Sequence, residues 1–263
     1  METFFSASGH FLFFNNFFPT TVRCGIATNF FGDCNYYYEG RTEDCIKNLG
    51  KVFHASDIFI PFPKNETTII KAQKNVETGI RNIRSLLKKR KETPVIHRAD
   101  GDGIILRHKK FHKCRPLLIF PTGDCPIVLL HNKKVSALLH CGWRGLQGNI
   151  LSLAVESLLS QKLIEPAKTK AIIWPGICQM HYPVSENVAQ YFPDTVNDGC
   201  LDLAGTAHKE LLSLKFSRKN ITIPDYCSFH SQENEENIFS SHRRGDTTRN
   251  AVFILPDLHN LSE

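Results

Sequence analysis

The sequence has nine cysteines but no Cys-x-x-Cys pair, so it offers neither a zinc ribbon nor a thioredoxin-type motif. It has no unbroken apolar run of about 18 residues, which excludes an ordinary membrane-spanning helix. No internal repeat at a period of roughly 20 to 50 residues is visible. The 16 glycines and 13 prolines are too few for a fibrous or low-complexity chain, and no Pro/Gly/Ser-rich stretch marks a linker. The Phe-rich opening METFFSASGHFLFFNNFFPT lacks a cationic lead and is interrupted by His10, Asn15 and Asn16. It reads as strand or loop carrying Phe into the core, not as a targeting segment. An odd cysteine count without a signal peptide fits a reduced, cytoplasmic compartment.

What remains is ordinary globular composition, 41% hydrophobic and 22% charged over 263 residues, and the expectation is one domain spanning 1–263. The net charge of +6 is concentrated. Between Arg81 and Arg115, twelve Lys or Arg stand against three acids, while the rest of the chain has 20 basic and 23 acidic residues. Basicity therefore belongs to one segment, which overlaps an amphipathic helix predicted over 75–91 from the spacing of Val76, Ile80, Ile83 and Leu87.

Secondary-structure signals alternate along the chain. TEDCIKNLG at 42–50 has a cap, early acids and a Gly stop, predicting a short helix. PLLIFPT, CPIVLLH and KVSALLHC are apolar runs bounded by turn residues, predicting buried strands. GLQGNILSLAVESLLSQ predicts one packed helix; TKAIIW, ITIPDYC and NAVFIL predict further strands, with helices at SENVAQYF and TAHKELLSL. The fold class expected is α/β (α+β), a layered sheet with packed helices.

Three stretches can carry chemistry. If the runs containing PTGDCP and LLHCGWRG pair across the HNKK turn, Asp124, Cys125 and His140 meet at one sheet edge. That set is a nucleophilic dyad with an orienting acid, part of a metal site, or a buried structural Cys beside a core His. Arg144 follows at a helix start, suited to phosphate or stacked on Trp143. IFSSHRRGDTTR gathers His242, Arg243, Arg244 and Arg249, a second anion clamp or a solvated loop.

In order, PTGDCP, LLHCGWRG, IIWPGICQMHYPV and IFSSHRRGD resemble the blocks of the YfiH/YlmD-type purine nucleoside phosphorylases, long labelled multicopper polyphenol oxidases or laccase-domain proteins. LDLAGTAHKELL, Cys227 and a worn opening VRCGIATNFFG extend the resemblance over most of the chain. The resemblance implies a YfiH-like fold, similar to that of a cytotoxic-necrotizing-factor-type cysteine hydrolase. It implies zinc-dependent phosphorolysis of adenosine- or inosine-type nucleosides to base and ribose 1-phosphate, with adenosine deamination as a linked activity. Substrates are then purine nucleosides and phosphate, with no membrane or nucleic-acid partner. Cys125 and His140 match two metal ligands, Asp124 the acid beside the Cys, and Arg144, Arg243 and Arg244 the arginines near the pocket.

Departures from the family pattern are specific. Asn65 in PKNE stands where the family has its third ligand, a His, and Asn is a poor zinc ligand. His97 and His181 are the nearest substitutes, His181 standing with Met180 in place of paired family cysteines. The basic helix becomes an insertion at about 75–95. Copper oxidase chemistry is disfavoured, because none of the twelve histidines stands in a His-x-His pair. Two other functions compete: a metal-free Cys-His hydrolase or amidase at Cys125 and His140, and a degenerate member binding an acidic partner or nucleic acid through residues 81–115. The other eight cysteines carry no functional expectation.

Overall fold

A computed structural model describes residues 2–6, 9–15, 17–18, 22–35, 44–72, 94–111, 113–256 and 258. The helix expected over 75–91, and nearly all of the insertion at about 75–95, lie outside the described residues.

Two sheets carry the fold. The first has seven strands in the order β1-β2-β3-β17-β8-β4-β6, that is Glu2–Phe5, Phe11–Asn15, Arg23–Ala27, Asn250–Leu255, Pro116–Thr122, Asp57–Phe62 and Val95–Asp100. The second has six, β14-β11-β9-β10-β7-β5, that is Ile221–Thr222, Lys170–Ile173, Ile127–His131, Val135–His140, Gly103–Arg107 and Ile69–Lys71. Among the described residues, two ribbons complete the count, β12 Val196–Asn197 with β13 Cys200–Leu201, and β15 Gln232–Glu233 with β16 Glu236–Asn237. Pairing is mixed: β4 is parallel to both β6 and β8, whereas β10 is antiparallel to β9 on one side and to β7 on the other.

Alternation along each strand sorts side chains between layers. In β9 and β10, Leu129 and Leu138 enter a core shared with Phe120, Ile254 and Trp174 between the sheets. Val128, Leu130, Ala137 and Leu139 face the other way, onto helix α3 (Ile150–Ser160) and, beyond the short α4 (Glu186–Ala189), helix α5 (Leu203–Ser213). On the far side of the seven-stranded sheet, Ile58, Ile119 and Phe253 pack with Ile46 and Leu49 of α1 (Asp44–Val52). Because both faces of the central strands are covered, their sequences read as unbroken apolar runs. Phe11, Phe14, Phe17 and Phe18 are buried, as the opening segment's composition predicts.

Three local expectations change. The single helix predicted after His140 is two: α2 (Trp143–Gln147) and α3, separated at Asn149, whose φ of 57° is left-handed. Asn tolerates that region better than most residues, and the helix is interrupted there and restarts at Ile150. Gly50 does not stop α1 but lies inside it; a Cβ there would come 2.5 Å from Ile58 Cδ1 and 2.7 Å from Pro94 Cγ. The strand expected at ITIPDYC shortens to Ile221–Thr222, with Pro224 unable to donate to the ladder. Among the described residues, no helix is long and apolar enough to cross a membrane.

Candidate active site

The β9–β10 hairpin builds the centre. His140 pairs with Ile127 in register, so the tight turn leading into β9 brings Cys125 alongside the imidazole. Gly142 closes the gap: a Cβ there would sit 3.0 Å from Cys125 Sγ and 3.4 Å from His140 Nε2. Cys125 and His140 thus face the same small space beside Gly142, and Cys125 favours the charged form of the imidazole.

The carboxylate facing His140 is Asp102, not Asp124. Asp102 Oδ1 lies 3.5 Å from His140 Nδ1, and Asp102 is fully buried in the turn between β6 and β7. It accepts hydrogen bonds from the backbone N–H groups of Asn65 (2.8 Å) and Glu66 (3.1 Å). Burial works against charge on Asp102, but these donors and His140 together hold its carboxyl below the usual range. Burial likewise opposes the imidazolium of His140; Cys125 and Asp102 outweigh it and raise its pKa to about 9.

Asp124 works elsewhere. Its Oδ1 accepts from the hydroxyls of Ser228 and Ser241, each at 2.7 Å, and its Oδ2 from the backbone N–H of Arg243 at 2.7 Å. Asp124 thus ties two late loops to the Cys125 turn.

The arginines divide in the same way. Arg244 is consumed by the carbonyls of Ser228, Phe229 and Phe239 and by the Asp246 carboxylate. Arg243 lies over the Tyr182 ring at 5.1 Å and donates to Pro183 O at 3.2 Å. Arg144 is exposed and stacks on Trp143, 4.2 Å from its centroid. Tyr182 marks where these groups converge: burial, then the charge of Cys125, push its phenol up to about 12, against the pull of Arg243 and Arg144. Neither Asp102 nor Tyr182 stood out in the sequence as a site residue. The Asp-Gly-Asp-Gly turn was the available signal for the first.

Neither proposed third ligand joins Cys125 and His140. His97 is buried in β6, stacked on Phe59 with its Nε2 3.0 Å from Asp57 Oδ1. His181 belongs to a different group. Among the described residues, the one set of three or more His, Cys, Asp or Glu donors within 4.8 Å of one another is Cys178, His181, Cys227 and His230. Asn65 is exposed, and the bond it gives toward the site comes from its backbone N–H.

The family described as multi-copper polyphenol oxidoreductase laccase matches residues 64–257, which hold Asp102, Asp124, Cys125, His140, Tyr182 and the three arginines. The chain belongs to that family. Among curated relatives, purine nucleoside phosphorylase Cj1217c of Campylobacter jejuni is 29% identical over 162 residues, 59% of this chain and 66% of the relative. Adenosine deaminase RL5, from an unknown prokaryotic organism, is 36% identical over 73 residues, 27% of this chain and 28% of the relative. The matched stretches therefore span under two thirds of these relatives' lengths. YfiH of Bacillus licheniformis has the same fold, with a TM-score of 0.71 at 19% identity over 95% of this chain and 97% of that one.

Proposed function

We propose that the protein acts on purine nucleosides with phosphate, releasing the base and ribose 1-phosphate, with adenosine deamination as a linked activity. The carrying observation is the arrangement of Cys125, His140 and Asp102 at one sheet edge, with Asp102 Oδ1 3.5 Å from His140 Nδ1, an arrangement that favours the imidazolium. Support comes from relatives named purine nucleoside phosphorylase and adenosine deaminase.

A catalytic zinc takes three protein ligands, and Cys125 with His140 supplies two. With Asn65 at the family His position and His97 engaged by Asp57, the described side chains do not complete that set. The chemistry is therefore assigned to the chain's own groups. Arg243 and Arg144 offset the charge of the incoming phosphate. A phosphate oxygen bonds to C1′ of the ribose as the C1′–N9 bond breaks. The departing electron pair goes to the purine, which takes a proton from the His140 imidazolium. Asp102 holds that ring and favours its charged form.

The test is release of hypoxanthine or adenine from inosine or adenosine, with and without phosphate. Phosphate-dependent release, reduced about 10²-fold or more in His140→Ala, is expected. No purine from either nucleoside overturns the reading.

The Cys125–His140–Asp102 chain also favours a second reading, a thiolate nucleophile acting on an amide. It requires Cys125 to be alkylated by iodoacetamide in metal-free protein; an inert Cys125 removes it.

A further inference from the structure

Cys178-x-x-His181 and Cys227-x-x-His230 are two copies of one spacing, on loops that follow β11 and β14. The fold brings them face to face. Cys178 Sγ lies 3.0 Å from His181 Nδ1 and 3.8 Å from His230 Nδ1, and the two Nδ1 atoms are 3.3 Å apart. All four donor atoms fall within 4.8 Å of one another. Around a tetrahedral zinc, with bonds of roughly 2.3 Å to sulfur and 2.0–2.1 Å to nitrogen, neighbouring ligands stand about 3.3–3.8 Å apart. The separations between these four donor atoms need only small adjustment to meet that.

The surroundings of Cys227 point the same way. Its sulfur is buried and accepts two backbone N–H groups, from Cys178 at 3.2 Å and Phe229 at 3.4 Å. A neutral thiol is a weak acceptor, whereas a thiolate ligand uses such donors well. The ring of His181 is fixed by stacking on Phe229, 4.5 Å between centroids and 17° from parallel. Only one of the two facing Nδ1 atoms can donate to the other, whereas a divalent cation of borderline softness satisfies both nitrogens and both sulfurs at once.

We infer that Cys178, His181, Cys227 and His230 form a Cys₂His₂ zinc site, separate from the Cys125–His140 centre. Four protein ligands leave no open position, so the site is structural. Its location gives it a task. Ser228, inside the second Cys-x-x-His pair, donates its hydroxyl to Asp124 beside Cys125 and its backbone N–H to Gly176 O. Zinc would pin the two loops that wall the centre while taking no part in the reaction there. The inference does not depend on the nucleoside reading.

The test is metal content by mass spectrometry of the full chain, purified under reducing conditions, supplied with Zn²⁺ and freed of excess. About one zinc per chain is expected, retained in Cys125→Ala and lost in Cys178→Ser and in His230→Ala. His230 is exposed, so its truncation tests the ligand without threatening the core. Co²⁺ in place of Zn²⁺ should give the visible bands of a tetrahedral thiolate site in wild type and Cys125→Ala. Wild type that retains no zinc overturns the inference. So does zinc that survives His230→Ala or disappears in Cys125→Ala, or a Cys178–Cys227 disulfide that persists in reductant and excludes Co²⁺.

Discussion

His140 Nδ1 faces Asp102 Oδ1 at 3.5 Å, and the backbone repeats the connection, with His140 N–H donating to Asp102 O at 2.7 Å. The imidazole is therefore fixed by main chain and side chain of one residue, on the turn between β6 and β7. Cys125 supplies the partner on the other side of the ring.

Asp102→Asn should bring the His140 pKa down from about 9 toward the ordinary histidine value. Because the folded pKa is raised, this charged histidine stabilises the fold fully below about pH 6.5, and that contribution disappears as pH rises through 9. Histidine NMR titration checks the shift, and denaturant midpoints between pH 6 and 10 check the linkage. A His140 that still titrates near 9 in the variant excludes Asp102 as its support.

Acid should act through a different pair. His108 Nε2 and His131 Nδ1 both meet the Ser136 hydroxyl at 2.8 Å. Burial is the largest cause lowering their pKa values, to about 4 and about 3. Depressed histidines favour the fold fully above about pH 6.5 and lose that contribution as pH falls toward the folded values. Stability should decline between pH 6.5 and 4, with a shallower slope in His131→Gln; equal slopes would contradict this.

Arg243→Ala and Arg244→Ala should fail differently. Arg243 turns toward Tyr182 and the centre, so its loss should raise the KM for phosphate about tenfold with little change in melting temperature. Arg244 satisfies three carbonyls and Asp246, so its loss should cost about 2–4 kcal/mol of stability. Steady-state kinetics and thermal melts on both variants separate the roles.

Gly142→Ala should lower activity by an order of magnitude or more, because the new methyl meets Cys125 Sγ and His140. Its φ of −67° suits alanine, so folding should survive. Wild-type kinetics in this variant would show that Cys125 and His140 can part without consequence.

Much of the architecture is legible from local pattern. PLLIFPT, IVLLH and VSALLH are strands because short β-prone runs bounded by turn residues must be buried on both faces. Asp202 caps α5 through its carboxylate and the Gly205 N–H, as an Asp before an apolar period predicts. Boundaries were less legible: the break at Asn149 and the continuation of α1 through Gly50 depend on what each residue packs against.

The sequence alone determined the layered α/β class, the meeting of Cys125 with His140 across one hairpin, and the family, since each follows from near-neighbour periodicity or from ordered blocks. Tertiary structure decided the partners. It put Asp102 rather than Asp124 against His140, spent Asp124 and Arg244 on bracing loops, placed His97 on Asp57, and gathered Cys178, His181, Cys227 and His230. The reason is physical: hydrophobic period fixes which face of an element is buried, whereas the side chains that meet across loops depend on strand order and register, which are properties of the assembled sheets.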